Sequence, residues 1–125
     1  MDVTENDPTI FDVRQAQKLS GALIWLATRT CPDIVYAQSR ISSLATRAPR
    51  RALECGKRVL RYIAGTLNYG LVFSPGSSNS MKFKVFSDAS FEASRSQMGT
   101  LILLNGSALS WRSSKQPQIA KSTAD

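Results

Sequence analysis

From Arg14 to Ile63 the apolar residues recur at three- and four-residue spacing, and beyond Met81 they alternate or run together. The first pattern belongs to helices with one buried stripe and the second to strands. Ala16, Leu19, Ala22, Leu23 and Leu26 predict a first helix over about 13–28, with Asp12 as N-cap and Gln15 completing a capping box. Gly21 would let a neighbour approach closely. Thr30, Pro32 and Asp33 restart the chain as cap, first-turn residue and dipole partner of a second helix. Its stripe is Ile34, Ala37, Ile41, Leu44 and Ala45. At these spacings Trp25 and Tyr36 read as core residues rather than as stacking platforms for bases.

Pro49 opens a third helix that runs to about Ala64, with Gly65 as its C-terminal cap. Its inner face is expected to be Leu53, Gly56, Leu60 and Ile63. Arg50, Glu54, Lys57, Arg58 and Arg61 form the outer face, with Glu54 and Arg58 spaced as a favourable i, i+4 pair. Residues 66–70 read as a turn and 71–73 as a short strand. The stretch 74–80 is rich in Ser, Pro, Gly and Asn and forms the linker to a β piece.

The β piece begins with Lys82-Phe83-Lys84-Val85-Phe86, whose alternation predicts a half-buried strand delivering Asp88 at its far end. A strand end is rigid and open on one side, so a carboxylate there can hold a metal ion without full burial. A polar loop is expected over 92–97. Residues 100–104 do not alternate and predict a strand buried on both faces. Asn105-Gly106 suits a two-residue type I′ turn, and 108–112 completes the hairpin. A polar loop follows over 113–118, and 122–125 reads as the start of a helix. The expected class is α+β, a three-helix piece followed by an incomplete sheet of antiparallel hairpin strands.

Apolar residues make up 42% of the 125 and charged ones 20%, which excludes wholesale disorder. The net charge of +7 points to a polyanionic partner. Residues 1–12 carry four acids and no base, an acidic arm. Residues 13–70 carry ten bases against two acids, and 71–125 six against three, so the positive charge lies mainly in the helices. Arg50, Arg51, Lys57, Arg58 and Arg61 fall within twelve residues and are the candidate phosphate contacts, with a merely solvated face as the alternative. Histidine is absent, which removes the usual general base. Cys31 and Cys55 are too few for a zinc site; they read as free thiols of a reducing compartment, with a disulfide between them the alternative. With neither a signal peptide nor an apolar run of membrane-spanning length, the expected location is intracellular, cytoplasmic or nuclear, without a membrane partner.

Several motifs in order carry a family resemblance. The stretch from Gln17 to Ala27, Arg29-Thr-Cys-Pro-Asp-Ile-Val-Tyr-Ala37, Gly56-Lys-Arg-Val-Leu-Arg-Tyr-Ile-Ala-Gly-Thr66 and Tyr69-Gly-Leu-Val-Phe73 resemble the end of the reverse transcriptase in copia-type retrotransposon Pol polyproteins. Ser87-Asp-Ala-Ser90, the run from Ala108 to Pro117, and Ser122-Thr-Ala-Asp125 are similar to the ribonuclease H domain that follows it.

The resemblance implies that 13–73 are thumb-and-connection helices gripping an RNA–DNA hybrid. It also implies that 81–125, beyond the linker, begin a ribonuclease H-like mixed sheet. That enzyme hydrolyses the RNA strand with two Mg²⁺ ions held by several carboxylates. Asp88 matches the first of these, as metal ligand and catalytic residue. Asp125 falls on the acidic residue just before the second, and Glu92 is not a ligand. The polymerase's own aspartates belong upstream. The expectation is a Pol fragment, inactive alone, whose partners are the hybrid or other nucleic acid and the rest of the polyprotein. The alternatives are a domesticated, non-catalytic nucleic-acid-binding module and a chain without a stable fold.

Overall fold

Thr9, rather than Asp12, starts the first helix in the computed structural model, which describes residues 9–75, 80–90 and 95–116. The Thr9 side chain accepts from the Asp12 amide at 3.1 Å while the Thr9 amide donates to Asp12 Oδ2 at 3.3 Å. This reciprocal box three residues apart satisfies two end amides at once, so α1 spans Ile10–Arg29 and begins earlier than the apolar stripe does. The rest of the acidic arm lies outside the described residues.

These bonds hold the Asp12 carboxyl below its ordinary value, the Thr9 amide being the main cause and Arg50 a smaller one. A lowered folded-state value gives stability that is present above the unfolded carboxyl value and lost as pH falls through the folded one. Acid unfolding monitored by circular dichroism should therefore shallow below about pH 4 in Asp12→Asn relative to the parent. Identical curves would show that the box is not coupled to folding.

Thr30 closes α1 instead of opening the next helix, because its amide donates to the Leu26 carbonyl at 3.1 Å. A 3₁₀ turn over Pro32–Ile34 leads into α2, Val35–Leu44, and α3 follows at Pro49–Gly65. Gly65 is thus the last helical residue, and Thr66 takes the cap with its amide on the Ile63 carbonyl.

The three helices meet on Ala16, Leu23, Ala27, Ile34, Ile41, Ala45, Ala52 and Val59. Half of these are alanines, so the helices approach closely. On α3 the buried stripe is Pro49, Ala52, Gly56 and Val59, with Leu53 and Ile63 partly buried. The expected inner residue Leu60 is 45% exposed. The stripe is rotated because Gly56 faces α1 directly: a Cβ there would overlap Cδ2 of Leu19. This is the close approach assigned to Gly21, around which there is open space. Ser20 and Ser42 share a 2.6 Å hydrogen bond within the bundle, and Gln38 Nε2 donates to Ser42 Oγ at 2.7 Å.

Trp25 and Tyr36 are 62% and 56% exposed, against the core expectation. Each lies two residues from a buried one, Leu23 and Ile34, and a two-residue step rotates about 200° around a helix.

Three antiparallel strands follow in the order β1-β2-β3: β1 Phe83–Ala89, β2 Gln97–Leu104 and β3 Ser107–Lys115. With the helices they give the expected α+β class, the sheet remaining open. Asn105 and Gly106 have φ of 50° and 83°, the left-handed pair that a type I′ turn requires. The Asn105 side chain also accepts from the Lys82 amide at 2.9 Å, tying the turn to the start of β1. Two strands run longer than the apolar pattern: β2 takes in Gln97, and β3 takes in 113–115, expected to be loop. Ladder pairing, rather than side-chain alternation, sets these ends.

Residues 71–73 form no strand, and β1 is exposed along its whole length instead of half-buried. Among the described residues it pairs on one side only, with β2, and α2 packs against β3 rather than against it. Residues 101–104 of β2 are half-buried rather than sealed on both faces, since the helices cover only part of the sheet. The middle of the linker, the 92–94 part of the first polar loop and the expected helix start at 122–125 lie outside the described residues.

Two side chains fasten the sheet to the helices. Trp111 Nε1 donates to the Ala27 carbonyl at 2.5 Å, satisfying one of the carbonyls left over at the end of α1. Gln97 Nε2 donates to Ser113 Oγ at 2.8 Å and to Ser39 Oγ of α2 at 3.2 Å.

Candidate nucleic-acid interface and the Asp88 cleft

The buried stripe of α3 fixes where its charges go. Arg50, Arg51, Lys57, Arg58 and Arg61 are all exposed, on the side away from the bundle. From Arg51 to Arg61 is about 15 Å of helix. Arg50 stands apart from the other four, since its Nε lies 3.3 Å from Asp12 Oδ2 and ties α3 to the first turn of α1. Glu54 sits within the basic face but forms no ion pair with Arg58 among the described residues, so the expected i, i+4 support is not made. On the opposite flank Tyr62 Oη donates to Asp33 Oδ2 at 2.6 Å, fixing α3 to the 3₁₀ turn. That bond, with a smaller contribution from burial, holds the Tyr62 phenol above its ordinary value.

Asp88 occupies the far end of β1, opposite Gly99 of β2, which in turn faces Ser113 of β3. Side chains directly opposite one another share a sheet face. Phe86, Leu101 and Trp111 form the next row of that face. Pro32, Val35 and Tyr36 wall the other side of an open cleft of about 680 Å³. Asp88 is exposed, and its Oδ1 accepts from the Ala89 amide at 2.8 Å.

Among the described residues no second acid lines this cleft, and no three His, Cys, Asp or Glu come together. A hard cation needs about six oxygen ligands and a pair of ions needs several carboxylates. The described residues therefore do not fit a two-Mg²⁺ cage. Asp125 and Glu92 lie outside the described residues.

Sequence reasoning missed Trp111, Gln97 and the Asp33–Tyr62 bond as the groups that organise the cleft. A strand tryptophan was a signal, because a half-buried indole needs an acceptor for its N–H.

Among known proteins, the chain is 32% identical over 118 residues to the retrovirus-related Pol polyprotein from transposon RE1 of Arabidopsis thaliana, covering 91% of this chain and 8% of that protein. It is 31% identical over 109 residues to the corresponding polyprotein from transposon TNT 1-94 of Nicotiana tabacum, again 8% of that protein. A third relative is secreted RxLR effector protein 161 of Plasmopara viticola, 37% identical over 84% of this chain and 75% of that protein. The chain belongs to the copia-type retrotransposon Pol polyprotein family. It spans about 8% of the length of the Pol polyproteins from RE1 and TNT 1-94. No family model and no solved structure matches it. No helix among the described residues is long and apolar enough to cross a membrane.

Proposed function

We propose that this chain is the part of a Pol polyprotein where reverse-transcriptase thumb-and-connection helices run into the start of the ribonuclease H region. It holds the phosphate backbone of an RNA–DNA hybrid along the outer face of α3. The supporting observation is that Arg51, Lys57, Arg58 and Arg61 all project from the side of α3 away from the core. Positive side chains along one helix face neutralise phosphates and release counterions, so affinity should fall steeply with salt.

Fluorescence anisotropy with a labelled hybrid across a salt series tests this. Arg58→Ala and Arg61→Ala should each weaken binding and reduce the slope of log affinity against log salt by about 0.7–0.9. Absence of binding at low salt, or a slope that neither variant changes, would overturn the reading.

A second reading, a nucleic-acid-binding module that does not cleave, is favoured by Asp88 being the one carboxylate among the described residues that line its cleft. Under it, the RNA strand stays intact when the hybrid is incubated with the chain and Mg²⁺. Cleavage that disappears in Asp88→Ala would sink it and would restore Asp88 to the role its motif has in ribonuclease H.

A further inference from the structure

The turn between β2 and β3 brings three reactive backbone and side-chain groups together. Asn105 and Gly106 are both exposed. The Gly106 amide makes no hydrogen bond to another described residue, and a Cβ built at this position would meet nothing within 4 Å. Its nitrogen is therefore open to solvent and uncrowded. Asn105 Oδ1 accepts from the Lys82 amide at 2.9 Å, while the Asn105 amide donates to the Lys82 carbonyl at 2.9 Å. These two bonds clamp Asn105 to the residue just before β1. No other asparagine of the chain is followed by glycine.

An asparagine side chain can be attacked by the amide nitrogen that follows it. Here the Gly106 nitrogen, after losing its proton to hydroxide from solvent, would bond to Asn105 Cγ. The Cγ–Nδ2 bond breaks, and Nδ2 takes a proton from water and leaves as ammonia, closing a succinimide ring. Water then opens the ring at either carbonyl. Opening at Cγ leaves aspartate at position 105, and opening at the main-chain carbonyl leaves isoaspartate, with the chain routed through Cβ and Cγ. Nothing is oxidised or reduced, since the balance is one water gained for one ammonia lost. During the attack negative charge gathers on Oδ1, the oxygen on which the Lys82 amide already sits. A donor preset where charge develops stabilises the transition state more than the ground state.

We propose that Asn105 is a self-modifying site, deamidated through a succinimide with the Gly106 nitrogen as nucleophile and the Lys82 amide as oxyanion donor. The two products act differently on the sheet. Aspartate keeps the tie to β1, because a carboxylate accepts the same amide in a stronger, charge-assisted bond. Isoaspartate inserts a backbone methylene between Leu104 and Ser107, which the left-handed pair of a type I′ turn does not accommodate. That product frees the start of β1 from the turn. The proposal is independent of nucleic-acid binding through α3.

Incubation of the whole chain in water carrying the heavy oxygen isotope, over a pH series, tests it by peptide mass spectrometry after digestion in ordinary water. Label should enter at position 105 at a rate that rises with pH, because the attacking amide must lose its proton. Asn68, exposed but followed by the bulky Tyr69, should stay unlabelled over the same period. Lys82→Pro removes the donor and should slow labelling by about tenfold, less than in a buried oxyanion hole because this site is open to water. The parent chain unfolded in urea loses the same donor without a mutation, and should also label about tenfold more slowly than the folded chain. Asn105→Gln would need a larger ring and should abolish labelling at this position. Position 105 labelling no faster than Asn68 would overturn the proposal. So would a folded chain that labels no faster than the unfolded one, since the Lys82 bond would then restrain the side chain rather than activate it.

Discussion

Replacing Trp111 with alanine should lower the free energy of unfolding by about 2–3 kcal/mol, read as a reduced midpoint in urea at unchanged slope. Two losses combine. The half-buried indole lines the cleft between the sheet and the 3₁₀ turn, and its removal takes away the apolar surface it covers there. Its N–H also satisfies the Ala27 carbonyl, which has no partner inside α1. Trp111→Phe separates the two effects, since it keeps most of the ring and removes only the donor. It should cost about 1 kcal/mol, the net worth of one hydrogen bond. Because the bond joins residues 84 apart in sequence, its loss should also raise amide exchange in the sheet before it does so in the helices. If Trp111→Phe and Trp111→Ala were equally destabilising, packing would play no part. If Trp111→Phe were neutral, the Ala27 bond would play none.

The second large effect is expected at Gly56. Glycine in a helix interior is ordinarily worse than alanine by about 1 kcal/mol, so a bulkier residue would stabilise α3 in isolation. Here any Cβ meets Leu19 Cδ2, and the Cγ of the same residue lies at 3.1 Å. Alanine can be absorbed by a shift of the Leu19 terminus. Valine cannot, and Gly56→Val should destabilise by about 2–3 kcal/mol through overpacking. Leu19→Ala in the Gly56→Val background should recover at least about 1 kcal/mol of that loss, although Leu19→Ala alone destabilises. Additive single and double variants would show that α1 and α3 do not meet at this point.

The three helices and the hairpin were legible because each rests on local chemistry: apolar spacing, Pro49 at a helix start, and Asn105-Gly106 at a turn. The first cap was misplaced because Asp12 with Gln15 has the spacing of a capping box, whereas Thr9, which makes the box with Asp12, lay in the stretch read as an acidic arm. Only the geometry shows that Thr9 makes both reciprocal bonds. The buried face of α3 was misjudged for a tertiary reason. Large residues such as Leu60 announce a core, whereas this interface is built on Ala52 and Gly56, whose small size lets the helices approach. The alternation in β1 gave a strand but not its burial, because alternation cannot say whether a layer covers the apolar side. At the candidate sites, charge period alone placed the basic residues on the outer side of α3, and strand period placed Asp88 at the end of β1. That Tyr36, Gln97 and Trp111 would surround Asp88 was not legible, since they come from three different elements brought together by packing.

The Ser20–Ser42–Gln38 chain of hydrogen bonds concerns uniqueness more than strength. A bundle core that is half alanine is comparatively smooth, and one helix could slide along another by a turn at a modest change in buried area. Hydroxyls that find each other at 2.6 Å at one axial position penalise every other setting, because each slip would strand a polar group among methyls. The seam therefore acts as a key in a keyway: it adds little grip, but it selects one alignment. That alignment holds the end of α1, with the Ala27 carbonyl, where Trp111 reaches it.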